Sequence, residues 1–125
     1  MNYSETRQDM KQQMDECIQK CLDCLRTCLA TVPHCLNLGG IHAGQDHITM
    51  LMECAEVCQT SARLMLIESS LHTDQCGVCA KACQRCADDC QSMAEGDEQM
   101  TACAEACRRC AKTCSDMASM STMSS

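Results

Sequence analysis

Aromatic side chains are all but missing: Tyr3 is the one ring other than histidine, and there is no Phe or Trp in 125 residues. A core without large rings must be built from Leu, Ile, Ala, Met and Cys. Basic charge is scarce as well. Ten Lys and Arg stand against 17 Asp and Glu, a net charge of −7, which argues against binding nucleic acid or an anionic membrane surface. No stretch is long and apolar enough to span a bilayer. Met1 to Glu16 is polar, with no apolar signal segment and no twin Arg, so nothing signals export. There is no Ser/His/Asp constellation, no phosphate-binding glycine loop and no pair of buried carboxylates, and the chain reads as a non-enzyme.

What is abundant is cysteine, 16 residues of it. A small cysteine-rich chain is by default a secreted disulfide scaffold. Here the cysteines fall on helical register instead. Cys103, Cys107, Cys110 and Cys114 are spaced 4, 3, 4, which places all four on one face of a helix. The same register recurs at Cys79, Cys83, Cys86, Cys90 and at Cys17, Cys21, Cys24, Cys28. A degraded copy runs Cys54, Cys58, Ser61, Met65. Neighbours on one helical face do not favour bridging each other. A reduced, cytoplasmic chain is therefore expected.

In chain order, helices are expected at about 4–32, 46–70, 74–95 and 97–118, with a frayed tail at 119–125. A second stripe on the first helix, Ile18, Leu22, Leu25 and Leu29, should pack sideways on a neighbouring helix or another subunit. Pro33 should end or kink that helix, although Cys35, seven after Cys28, can stay in line with the stripe. Gly39 and Gly40 are natural stops. Asp46 is placed to cap the second helix, Thr73 or Asp74 the third, and Asp97 the fourth. The third and fourth helices repeat at an offset of 24, each reading Cys-Ala-x-Ala-Cys-x-Arg-Cys-Ala-x-x-Cys-x-x-Met-Ala. The recurring alanines beside the stripe allow close approach. Short connections make sequential helices antiparallel. The expectation is an all-α, up-down-up-down four-helix bundle with a cysteine-lined core, one domain over residues 1–125.

Buried thiols can be mere packing. Three full stripes are too many for that reading, because Cys fills volume poorly and such a bundle would be thin or hollow. Soft thiolates select Cu(I), Zn(II) or iron–sulfur clusters. Charge discriminates among them. Four thiolates around a divalent ion leave a net −2 in a low-dielectric interior, and the core positions offer no Lys or Arg to offset it. A monovalent ion at roughly one per thiolate leaves the core neutral, which counts to on the order of fifteen Cu(I) per chain. Zinc fits less well. Pairs such as Cys21-x-x-Cys24, Cys83-x-x-Cys86 and Cys107-x-x-Cys110 are embedded in continuous helices rather than in the loops of zinc knuckles. A thiol redox protein, an iron–sulfur carrier and a zinc-stabilised structural bundle stand as the alternatives.

With these runs in view, the chain resembles the four-helix-bundle copper storage proteins, and in lacking an export signal it resembles their cytosolic branch. The runs that carry the likeness are Cys17 to Cys28, Cys54-Ala-Glu-Val-Cys58, Cys76 to Cys90 and Cys103 to Cys114. The resemblance covers about residues 14–118. It implies a homotetramer of bundles, each storing many Cu(I) ions along its axis, and an apo form that is already folded. The copper donor and acceptor stay unidentified. One departure is that a His-rich stretch before the fourth helix, common in the family, is replaced by Glu95-Gly96-Asp97-Glu98-Gln99.

Antiparallel order puts His34, Cys35, His42, His47, Met93 and Met100 at one end, a mouth. His47 lies seven before Cys54, and Met100 three before Cys103, so both sit on stripes. Imidazole and thioether can pass Cu(I) inward and still release it. Each also has a plainer reading: a solvated loop histidine, or a methionine that fills core. The opposite end holds Met14, Met65, Leu71 and Met117, where methionine plugs the core, and His72, to which no role is assigned. Charges such as Arg108, Arg109, Lys112, Asp88 and Asp89 read as a solvated face. The expected copper ligands are Cys17, Cys21, Cys24, Cys28, Cys35, Cys54, Cys58, Cys76, Cys79, Cys83, Cys86, Cys90, Cys103, Cys107, Cys110, Cys114 and His47, with His34, His42, Met93 and Met100 behind them.

Overall fold

The computed structural model describes the backbone of residues 3–123 and the side chains of residues 7–120. Four α-helices are present among them: α1 Tyr3–Leu38, α2 Gln45–Leu66, α3 His72–Ala94 and α4 Glu98–Met123. A turn of 3-10 helix, Gly40–Ala43, sits between the first two. Each helix packs along two others, in the ring α1–α2–α3–α4–α1. This is the up-down-up-down antiparallel four-helix bundle, with its cysteines turned to the axis. Among the described residues no helix is long and apolar enough to cross a membrane.

Helix α1 departs from expectation by continuing through Pro33 to Leu38. The proline removes the hydrogen bond to the Leu29 carbonyl. Both Pro33 and Leu29 lie on the exposed face, where water can take that carbonyl, so the helix goes on. On the opposite face Cys28 and Cys35 are fully buried two turns apart. Packing on that side outweighs the lost bond. The helix then stops at Gly39, whose N–H reaches the Cys35 carbonyl at 3.1 Å and whose φ of 74° few other residues adopt.

Four other boundaries are corrected. Helix α2 ends at Leu66, not near residue 70, because Glu68 turns left-handed and the Ser69 N–H closes on the Leu64 carbonyl at 2.9 Å. Neither Asp46 nor Thr73 or Asp74 caps a helix: the residues preceding α2 and α3 are Gly44 and Leu71, without side-chain caps. Helix α4 runs past 118 to Met123, and Ser124 and Ser125 of the expected tail lie outside the described residues. Asp97 does cap α4, accepting the Met100 N–H at 2.9 Å. A cap of this kind stabilises by about 1 kcal/mol.

The tightest pair is α3 with α4. Ala87, Ala94, Ala104 and Ala111 are buried along it, and Gly77 comes close to Ala118. The small side chains of the repeat let the two backbones draw together and bring their sulfurs to the axis. The second stripe of α1 runs from buried Ile18 through half-buried Leu22 and Leu25 to Leu29, which is 48% exposed.

Candidate metal centre

All sixteen cysteines are free and buried. The 4-3-4 register sends each stripe inward, and the ring order interleaves the four stripes. Sulfur therefore meets sulfur across every interface. Cys24 Sγ lies 3.6 Å from Cys107, 3.8 Å from Cys54 and 4.0 Å from Cys83, one on each of the other three helices. One turn along, Cys58 Sγ lies 3.6 Å from Cys83, 3.7 Å from Cys79 and 3.8 Å from Cys110. Cys110 is 3.6 Å from Cys21, which is 3.5 Å from Cys114. Towards the other end Cys28 stands 3.9 Å from Cys103 and 3.7 Å from Cys107. The column is thus closed sulfur against sulfur rather than hollow.

These spacings are those of a metal–thiolate array. A metal–sulfur bond of about 2.3 Å sets sulfurs roughly 4.0 Å apart around a trigonal ion and roughly 3.8 Å apart around a tetrahedral one. Quartets with all four sulfurs within 4.8 Å of one another include Cys24/Cys28/Cys54/Cys107, Cys24/Cys54/Cys58/Cys83, Cys58/Cys79/Cys83/Cys110, Cys21/Cys79/Cys110/Cys114 and Cys28/Cys86/Cys103/Cys107. The quartets overlap: Cys24, Cys28, Cys54, Cys58, Cys79, Cys83, Cys107 and Cys110 each belong to two. Separate four-thiolate sites would not share ligands. Overlap describes a continuous cluster in which the shared sulfurs bridge.

Electrostatics favours a metal of low charge. Among the described residues no Lys or Arg is buried; the buried polar residues are Thr31, His47 and Ser61. A single thiolate in the column is held by hydrogen bonds with the thiols around it. Cys24 is drawn well below the ordinary thiol range by hydrogen bonding, foremost with Cys107 and then with Cys110, Cys28 and Cys54. Its neighbours are pushed the other way. Cys28 and Cys107, each bonded foremost to Cys103, resist losing their protons, because a second thiolate would face the first in a low-dielectric interior. Only a cation arriving with each deprotonation lets all of them ionise.

At the mouth, the structure brings together Cys35, His47 and Met100. Cys35 Sγ is 3.2 Å from His47 Nε2 and 3.3 Å from Met100 Sδ. All three are buried. Burial, aided by the charges of Cys103, Asp97 and Asp89, pushes the Cys35 thiol up to about 11. Thiol, imidazole and thioether thus converge one step outside the column. The other mouth residues do not join them. His34 turns to Asp97, with Nε2 2.8 Å from Oδ2, and ties α1 to the cap of α4. His42 keeps a buried Nδ1 without a hydrogen-bond partner. Met93 packs against the core.

One residue was misread from sequence. Asp89 is not merely solvated: its Oδ2 lies 2.5 Å from His47 Nδ1. A carboxylate accepting from Nδ1–H fixes the tautomer that leaves the Nε2 lone pair facing Cys35. Its one trace in the sequence is a break in the repeat, Asp-Asp before Cys90 where the fourth helix has Lys-Thr before Cys114. Ser61, in the degraded stripe, is fully buried and its hydroxyl has no partner. At the far end Leu71 is exposed and closes nothing, whereas Met65 and Met117 are buried.

The copper storage protein family model matches residues 10–119. Among solved structures, the Nmul_A1745 protein from Nitrosospira multiformis is 43% identical, with a TM-score of 0.81 over 87% of this chain and 97% of that one. The Cu(I)-bound copper storage protein BsCsp3 is 30% identical, with a TM-score of 0.78 over 85% of this chain and 98% of that one. A cytosolic copper storage protein from Streptomyces lividans, solved with five coppers, is 29% identical, with a TM-score of 0.81 over 87% of this chain and 94% of that one. Its structure is also known loaded with 10 copper equivalents.

Proposed function

The chain belongs to the copper storage protein family, and from that membership we propose that it stores many Cu(I) ions in the sulfur column of its bundle. The observation that carries the reading is the overlap of the thiol quartets, with eight cysteines, Cys24, Cys28, Cys54, Cys58, Cys79, Cys83, Cys107 and Cys110, each in two. Shared sulfurs suit a monovalent ion at about one per thiolate and disfavour isolated divalent sites. The sixteen cysteines are the ligands. Cys35, His47 and Met100 form the mouth, where a thiol flanked by weaker imidazole and thioether groups admits and returns the ion. The work is storage in the cytosol, without catalysis, and the protein acts as a single domain. Assembly into a homotetramer is supported by the apolar side chains left outside, Leu29, Leu36 and Leu38 among them.

The test is a titration of reduced protein with Cu(I) against a coloured competing chelator. Saturation near one ion per thiolate is expected; saturation at one or two ions per chain refutes storage. The same protein challenged with Zn(II) should take up few ions. A filling by zinc comparable to that by copper would return the zinc-bundle reading.

A further inference from the structure

The far end repeats, with different residues, the chemistry of the mouth. A groove of about 830 Å³ opens there between the first turns of α1, the α2–α3 turn and the last turns of α4. Five of its fourteen lining residues are methionine: Met10, Met14, Met65, Met117 and Met120. Leucine would close this end with less rotamer entropy and a better-defined fit. The innermost of the methionines touches the column. Cys76 donates its S–H to Met65 Sδ at 3.9 Å, and Cys76 neighbours Cys114 and Cys17, themselves 3.6 Å apart. Sulfur is therefore continuous from the groove into the store.

His72 lines the same groove. Its Nδ1–H donates to the Ser69 carbonyl at 2.7 Å. A carbonyl only accepts, so the proton is on Nδ1 and the lone pair on Nε2. Nε2 has no hydrogen-bond partner among the described residues. A histidine anchored by one nitrogen to an acceptor, with the other free, is the arrangement in which histidines bind metal. At the mouth the same pattern holds, with His47 anchored to Asp89 and Met100 bonded to the terminal thiol Cys35. Here His72 is anchored to Ser69, and Met65 is bonded to the terminal thiol Cys76.

We propose that the far end is a second Cu(I) port, in which the thioethers of Met65 and Met117 and the Nε2 of His72 take up Cu(I) from solution and hand it to Cys76. This rests on the storage function above. The transfer changes no oxidation state. A copper–thioether bond breaks and a copper–thiolate bond forms. The Cys76 proton leaves through the groove to the buffer, and the ion pair formed is neutral. Neutral donors suit such a port because they bind a soft ion without holding it.

Two measurements test it. The first is the rate of Cu(I) uptake from a chelator in stopped flow, under reducing anaerobic conditions. A mouth variant, His47→Gln with Met100→Leu, should keep roughly half the wild-type rate. Adding Met65→Leu, Met117→Leu and His72→Gln should slow it a further tenfold or so, the low end of the loss seen when a metal ligand's surroundings are removed. Methionine to leucine conserves volume, so the bundle should still fold. If the mouth variant alone stops loading, or if the added substitutions leave its rate unchanged, there is no second port. The second measurement needs no variant. With the thiols already filled, one further equivalent of Cu(I) should shift the ε-methyl NMR resonances of Met65 and Met117 as well as that of Met100. A shift of Met100 alone would make the far-end methionines a plug and overturn the proposal. In either case total capacity is read separately, and a store that fails to fill speaks against the storage function instead.

Discussion

Ser61 offers a sharp test of the sulfur column. It sits between Cys58 and Met65 on the α2 stripe, fully buried, with an unpartnered hydroxyl. The carbonyl one turn back, on Val57, is already approached by Gln75 at 3.5 Å. A buried hydroxyl without a partner costs about 1–3 kcal/mol. A thiol is a far weaker hydrogen-bonding group and loses less on leaving water. The substitution Ser61→Cys should therefore stabilise the reduced apo-protein by about 1 kcal/mol, which for a chain of this size raises the melting temperature by roughly 3–5 °C. It also adds a third thiol to the α2 stripe beside Cys54 and Cys58, so Cu(I) capacity should rise by about one ion. Ser61→Ala separates the two effects, since it removes the hydroxyl and adds no ligand: stability up, capacity unchanged. The assays are thermal melts in excess reductant at fixed protein concentration, and competitive Cu(I) titration read by native mass spectrometry. The reasoning fails if Ser61→Cys melts below the parent, or if its capacity equals that of Ser61→Ala.

Other outcomes follow from the same geometry. Cys83→Ser removes a sulfur shared by two quartets, so capacity should drop by about one to two ions and the apo-protein should lose about 1–3 kcal/mol, checked by titration and urea unfolding. Asp97→Ala removes both the α4 cap and the partner of His34; the urea midpoint should fall by the equivalent of about 1 kcal/mol with copper capacity unaltered. Loading exchanges S–H for S–Cu, so each ion bound should release about one proton, measurable in weakly buffered solution with an indicator dye. Since the loaded form holds fewer protons, apparent affinity should rise with pH while thiols such as Cys35, pushed up to about 11, remain protonated in the apo form.

The stripe was legible because it is local. Spacings of three and four fix a helical face whatever the neighbours do. His47 and Met100 were found by extending that register beyond the last cysteine. Relations between helices left no such mark. Asp89 acts on a histidine of α2 from α3, 42 residues away, and no spacing along one helix encodes that. Pro33 misled for the converse reason. A local rule for stopping a helix lost to burial of Cys35, which depends on contacts with α2 and α4. The unsupported caps at Asp46 and Asp74 failed likewise, since the chain geometry at Gly44 and Leu71 starts those helices without side-chain help.

Thiols close enough to share a metal are also close enough to be joined by an oxidant. Cys54 and Cys83, Cys24 and Cys107, Cys21 and Cys110 all face each other at 3.6 Å from different helices. A peroxide reaching the empty bundle would meet pair after pair ready to cross-link, and each bridge would retire two ligands and pin two helices. Copper on those lone pairs removes the target. Emptying the store thus carries a hazard of its own: the bundle is most exposed to damage in its empty state, and whatever draws its copper away must leave it among reductants.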